Sequence, residues 1–129
     1  MPSRAKDWFA QAQRDLEMAQ RAADEGYFEW ACFAAHQAAE KALKAVFQHF
    51  GGEARGHDLD GLLHGLGQRV RIPRGLDSKV SELGKHYIAS RYPNAHVAGS
   101  PFQHYTKVEA RRAIRYAEAV LRFCGSHLA

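Results

Sequence analysis

The sequence predicts an all-α protein, a four- to five-helix up-and-down bundle formed as one domain over residues 1–129. Three observations carry this. The run Tyr27–Phe50 contains neither Gly nor Pro and is dense in Ala, Leu, Lys and Glu, so it reads as one helix roughly 36 Å long. Segments before and after it repeat apolar residues at threes and fours. No stretch alternates apolar and polar residues as a half-buried strand would.

In chain order, the first helix is predicted from Ser3, as N-cap, to Glu25. Trp8, Phe9, Ala12, Leu16, Ala19 and Ala23 form its inner stripe, and Gly26 ends it. So short a link to the next helix predicts an antiparallel hairpin. On a helical wheel of Tyr27–Phe50, the polar residues Glu29, His36, Gln37, Glu40, Lys41, Lys44 and Gln48 fall within an arc of about 140°. The apolar remainder, including Phe28, Ala31, Cys32, Ala35, Ala38, Ala42, Leu43 and Val46, is wide enough to need neighbours on two flanks. Gly51-Gly52 supplies a stop. Asp58 is placed to cap a third, weaker helix with Leu59, Leu62, Leu63 and Leu66 inward, finishing near Arg69; its three glycines cost about 1 kcal/mol each relative to Ala. VRIPRG is a connector. A fourth helix is predicted from Asp77 or Ser78 through Val80, Leu83, Tyr87 and Ile88, broken at Arg91-Tyr92-Pro93. Asn94 to Phe102 reads as a loop. Thr106 with Glu109 is a capping box for a fifth helix, with Val108, Ala113, Ile114, Ala117, Val120, Leu121 and Phe123 inward and a basic face of Lys107, Arg111, Arg112, Arg115 and Arg122.

Composition narrows the class. A hydrophobic fraction of 46% with no apolar run of spanning length excludes a helical membrane protein, and the start MPSRAKDW carries no apolar signal core, so the expected compartment is the cytoplasm. The two cysteines, Cys32 and Cys124, have no redox or zinc spacing and read as buried thiols. A net charge of +4 permits attraction to nucleic acid without defining it. His57 and His64 lie seven apart with no nameable third ligand, so no metal site and no cofactor is predicted.

Several local patterns then coincide. Ala12 to Leu16 reads A-x-x-D-L after an early aromatic; a run opening at Tyr27 continues into Q-A-A-E-K-A-L-K-A at Gln37 to Ala45; H-D-L follows at His57 to Leu59 and R-Y-P-N at Arg91 to Asn94, before an amphipathic closing helix. In this combination the chain resembles the HEPN domain family over nearly its whole length. The resemblance implies a helical bundle like the substrate-binding subunits of nucleotidyltransferases, commonly a homodimer, often paired as toxin with a minimal nucleotidyltransferase-type antitoxin. It also implies, for many members, metal-independent ribonuclease activity from an Arg and a His separated by four to six residues. Here Arg91 and His96 have that spacing.

The chemistry suits those residue types. Cleaving RNA without a metal needs a proton acceptor for the 2′-hydroxyl, and an imidazole titrates near neutrality. It also needs a cation for the charge developing on phosphate, which a guanidinium grips through two N–H groups. If a twofold axis juxtaposes two such loops, both pairs line one cleft. For Gln37, Glu40, Lys41 and Lys44, with Tyr92 and Asn94, two readings stand: a solvated helix face supported by the Glu40/Lys44 pair at i,i+4, or the lining of a nucleotide or partner cleft. Tyr87, Tyr92 and Tyr105 read as packing residues. Three functions follow: an RNA- or nucleotide-directed component of a toxin–antitoxin-like pair, a noncatalytic module binding a nucleotide or a nucleotidyltransferase, and a structural helical adaptor.

Overall fold

The structure, a computed structural model, describes residues 3–129 and is an all-α bundle. Its long helices are α1 (Ala5–Asp24), α2 (Phe28–His49) and α7 (Lys107–Ser126). Between α2 and α7 run α3 (Leu59–Leu66), α4 (Leu76–Gly84), the single turns α5 (His86–Ala89) and α6 (Pro101–His104), and a 3-10 turn at Pro93–Ala95.

The α1–α2 hairpin is set by its ends. Gly26, at φ +86°, closes α1: the Tyr27 N–H reaches Ala22 O at 2.8 Å and the Gly26 N–H reaches Ala23 O at 3.2 Å. Gly51 and Gly52 close α2 in the same way on Gln48 O and Phe47 O. At the other end Ser3 serves both helices, its Oγ accepting the Ala5 N–H and donating to Gln48 O. The start of α1 therefore lies beside the end of α2, as the short link predicts.

α2 is the axis of the molecule. Ala31, Cys32, Ala35, Ala38, Ala39, Ala42, Leu43 and Val46 are all without exposure, because α1 covers one flank and α7 the other while α3 and α4 close the remainder. Alanine along the seams, with Ala12, Ala19 and Ala23 from α1 and Ala110, Ala113 and Ala117 from α7, lets the backbones approach closely. Leu43 is the largest wholly enclosed side chain of this helix. Leu43→Ala should cost about 2–5 kcal/mol in urea unfolding, since packed helices on all sides cannot collapse into the space.

Four sequence expectations need correction. The polar arc of α2 is not a solvated stripe: His36, Glu40 and Lys44 are buried, at 0%, 3% and 7% exposure, because α1 and the segment before α3 lie over it. Val108 faces solvent at 70% exposure, since the second residue of a helix that starts at the bundle's rim precedes the first inward turn. The fourth helix is two pieces divided at Lys85, whose N–H turns back on Glu82 O, after a glycine that weakens the helix. The stretch predicted as a loop contains α6, nucleated by a Ser100/Gln103 capping box with Pro101 in the first turn. On α7, Lys107, Arg111, Arg115 and Arg122 are exposed, whereas Arg112 is half-buried against Glu82 at 2.6 Å. Both cysteines are buried free thiols, and burial pushes both thiols up, Cys32 to about 12, which disfavours the nucleophilic thiolate at neutral pH.

Candidate functional site

Three positions follow from the packing: the break after α5, the buried polar stripe of α2, and the groove between α1 and α2 beside the turn that joins them. At the break, Arg91 turns back onto the helix it leaves. Its Nε donates to Tyr87 O at 2.9 Å, Nη2 donates to the same carbonyl, and the guanidinium lies over the rings of Phe33 (4.2 Å), Tyr87 (4.7 Å) and Tyr92 (5.0 Å). Nη1 makes no hydrogen bond among the described residues. Tyr92 is half exposed and Asn94 stands exposed in the 3-10 turn.

His96 is held differently. Its Nε2 lies 2.7 Å from Ala89 O; a carbonyl only accepts, so Nε2 carries the hydrogen and the neutral ring presents its lone pair at Nδ1. The ring stacks on His104 with centroids 4.4 Å apart and planes 3° from parallel. His104 is fixed in turn by Nε2 on Ala98 O. Both rings line a cavity of about 340 Å³ with Lys85, His86, Tyr105 and Arg112. His86 is buried and shares a 2.9 Å hydrogen bond with the Tyr105 hydroxyl, and burial lowers its pKa below the usual histidine value. Arg91 and His96, five residues apart, are thus anchored on different carbonyls and share no hydrogen-bond partner among the described residues.

On α2, the carboxylate of Glu40 accepts from His57 Nδ1 at 2.8 Å and from Lys44 Nζ at 3.2 Å, and Lys44 Nζ sits 5.7 Å from the Trp8 ring centroid. The His57 ring is stacked on Tyr87, 4.3 Å between centroids and 18° between planes. His36, beside them, is desolvated, and burial holds it at about 4, well below the usual histidine value.

Gln37 and Lys41 line a groove of about 590 Å³ between α1 and α2, floored by Tyr27, Trp30, Phe33 and Met18. Lys41 Nζ is paired there with Asp15 at 2.6 Å. Of the predicted cleft residues, then, Gln37 and Lys41 face a groove, while Glu40 and Lys44 lie behind it as a buried ion pair. Among the described residues, no three His, Cys, Asp or Glu side chains converge in a way that holds a metal ion, and no helix is long and apolar enough to cross a membrane.

The His57–Glu40 bond and the His96–His104 stack escape sequence reasoning. The first joins residues seventeen apart across a loop; its visible trace is that His57 stands directly before Asp58, the N-cap position of α3, whose side chain makes no capping bond. The second depends on Gly99 and Pro101 turning the chain back within eight residues.

The fold and the Arg-x4-His loop define a class, the small helical bundles that carry this loop after a broken helix. The HEPN domain profile matches residues 5–127, and the chain belongs to that family. It is 42% identical to TT1696 from Thermus thermophilus, whose crystal structure superposes with a TM-score of 0.96 over 98% of this chain and 100% of the other. ST0689, an archaeal HEPN homologue, is 36% identical with a TM-score of 0.83 and full coverage of both chains. The HEPN domain protein tm0613 of Thermotoga maritima is 39% identical with a TM-score of 0.77 over 93% of this chain and 95% of the other. The "Putative toxin MJ1304" of Methanocaldococcus jannaschii is 28% identical, across 91% of this chain and 83% of the relative.

Proposed function

We propose that this chain is the RNA-directed component of a toxin–antitoxin-like pair and acts as a metal-independent endoribonuclease, with His96 transferring protons and Arg91 supplying positive charge to the phosphate. The observation that carries this reading is the state of His96: Nε2–H is fixed on Ala89 O, which leaves Nδ1 to exchange a proton beside a cavity lined by Lys85, by Glu109 and by Arg112 in its ion pair with Glu82. The toxin name borne by a relative supports the cellular role. The reaction is attack of the 2′-oxygen on phosphorus with departure of the 5′-oxygen, leaving a 2′,3′-cyclic phosphate. Arg91 keeps an uncommitted Nη1 edge for a phosphate oxygen while its other edge is held by Tyr87. Because the two residues are anchored apart in one protomer, a homodimer that juxtaposes two loops is part of this reading, and a nucleotidyltransferase-type protein is its expected antitoxin partner.

In a cleavage assay on structured and single-stranded RNA, His96→Ala should lower kcat by about 10²–10⁴-fold and Arg91→Ala by about 10²–10³-fold, both with native helicity. Native rates in either variant remove that residue from the site.

A second reading has one observation in its favour. Met18, Tyr27 and Trp30 are 60%, 58% and 50% exposed around the Gln37/Lys41 groove, an apolar floor with a charged rim that suits a nucleotide base or a nucleotidyltransferase surface. A noncatalytic module of this kind shows a rise in Tm on addition of nucleotide or the partner, and Trp30→Ala abolishes that rise.

A further inference from the structure

We propose that His57, oriented by the buried Glu40 carboxylate, is a second proton-transfer group of the RNA-cleaving site and is the imidazole that works beside Arg91 within one protomer. This rests on the ribonuclease reading above.

Glu40 is the buried anchor of the dyad. A carboxylate with 3% residue exposure on a core helix needs partners for both oxygens, and Lys44 supplies one. The other is supplied from outside the bundle by His57, whose side chain is 47% exposed. A carboxylate only accepts, so Nδ1 of His57 carries the hydrogen and Nε2 holds the lone pair of the neutral ring. This is the arrangement that activates a general base: one ring nitrogen fixed on a carboxylate, which also stabilises the imidazolium once the other nitrogen takes up a proton.

Tyr87 joins this dyad to Arg91. The His57 ring lies on the Tyr87 ring at 4.3 Å, Arg91 lies 4.7 Å from the same ring centroid, and Arg91 Nε donates to the Tyr87 carbonyl. Both groups are registered on one residue. His96 has no such link; its anchors are Ala89 O and His104. The two imidazoles then divide the work, His96 coming from the second loop that the homodimer of the reading above brings to the site. His57 Nε2 takes the proton of the 2′-hydroxyl as the O2′–P bond forms and the P–O5′ bond breaks. His96, entering as imidazolium, gives its proton to the departing O5′, and water returns the proton from His57 to His96 afterwards. Arg91 neutralises the phosphate oxygens.

His57→Gln separates chemistry from structure, because the amide still donates an N–H toward Glu40 but has no titrating ring. With the purified chain and an RNA oligonucleotide, this variant should lose about 100-fold or more in kcat with KM changed by less than about twofold and an unchanged Tm. Cleavage at the native rate by His57→Gln, while His96→Ala is inactive, overturns the role of His57 and leaves the ribonuclease reading intact. A native chain that leaves RNA uncut overturns both. A measurement independent of variant folding is the His57 Hε1 resonance of the native protein during titration with the 2′-deoxy form of the oligonucleotide. The proposal requires that resonance to move; shifts at Tyr92 or His96 with none at His57 contradict it.

Discussion

Glu40→Ala should lower the free energy of unfolding by about 3–5 kcal/mol, because it strands the Lys44 ammonium inside the bundle. Lys44 is 7% exposed, and Glu40 is its hydrogen-bonding partner at 3.2 Å. The ring of Trp8, 5.7 Å away, offers a weaker site for the cation. The variant also releases His57, whose ring nitrogen loses its acceptor, so the segment that precedes α3 should exchange its amide hydrogens faster. Replacing the pair together, Glu40→Leu with Lys44→Met, should recover most of the loss, since removal of both charges leaves nothing unpaired. Urea unfolding of the two single variants and the double variant measures the coupling. A single-variant loss within about 0.5 kcal/mol of zero would mean that water reaches the pair, contrary to its burial.

Acid should destabilise the fold well before the carboxylates protonate. Burial holds His36 at about 4 in the folded chain, against an ordinary value of 6.5. The unfolded chain therefore binds the extra proton first as pH falls, and stability declines with pH over that interval. The contribution of neutral His36 is complete above pH 6.5, erodes below it and is spent near pH 4. Its full size is about 3 kcal/mol at roughly 1.4 kcal/mol per pH unit. His86, lowered by the same cause, adds to the slope in the same direction. His36 Nε2 has no hydrogen-bond partner among the described residues and its Nδ1 is 3.3 Å from Gln37 Oε1, so His36→Leu gives up little and should flatten the pH dependence between 6.5 and 4. Thermal unfolding across that range checks it; equal slopes in the native chain and His36→Leu would place the acid sensitivity elsewhere.

How much of this could be read from the residues depends on the scale of the interaction. The three long helices were legible because Gly26 and Gly51 punctuate a 3.6-residue period and because Thr106 and Glu109 announce the start of α7. The family was legible in the run Gln37 to Ala45 together with the later H-D-L and R-Y-P-N. The depth of the α2 stripe was not. A wheel places His36, Glu40 and Lys44 on one side of the helix, but whether that side meets water is decided by α1 and by the chain around His57, which lie far off in sequence. The same limit applies to the loop. Arg91 and His96 were identifiable by spacing, while their separate anchors on Tyr87 O and Ala89 O depend on the path the chain takes around Pro93. Serine, proline and glutamine at 100, 101 and 103 do carry a readable helix start, which reading Asn94 to Phe102 as a loop passes over.

Everything proposed for the site requires the 2′-oxygen of the substrate to be the nucleophile. The most direct measurement incubates the purified chain with an RNA oligonucleotide and with the same oligonucleotide carrying a single 2′-deoxy residue 5′ to the scissile bond, then identifies the product ends by mass spectrometry. The account predicts 2′,3′-cyclic phosphate and 5′-hydroxyl ends from the first and no cut at that bond in the second. Equal cutting of both, or 5′-phosphate ends, would contradict it.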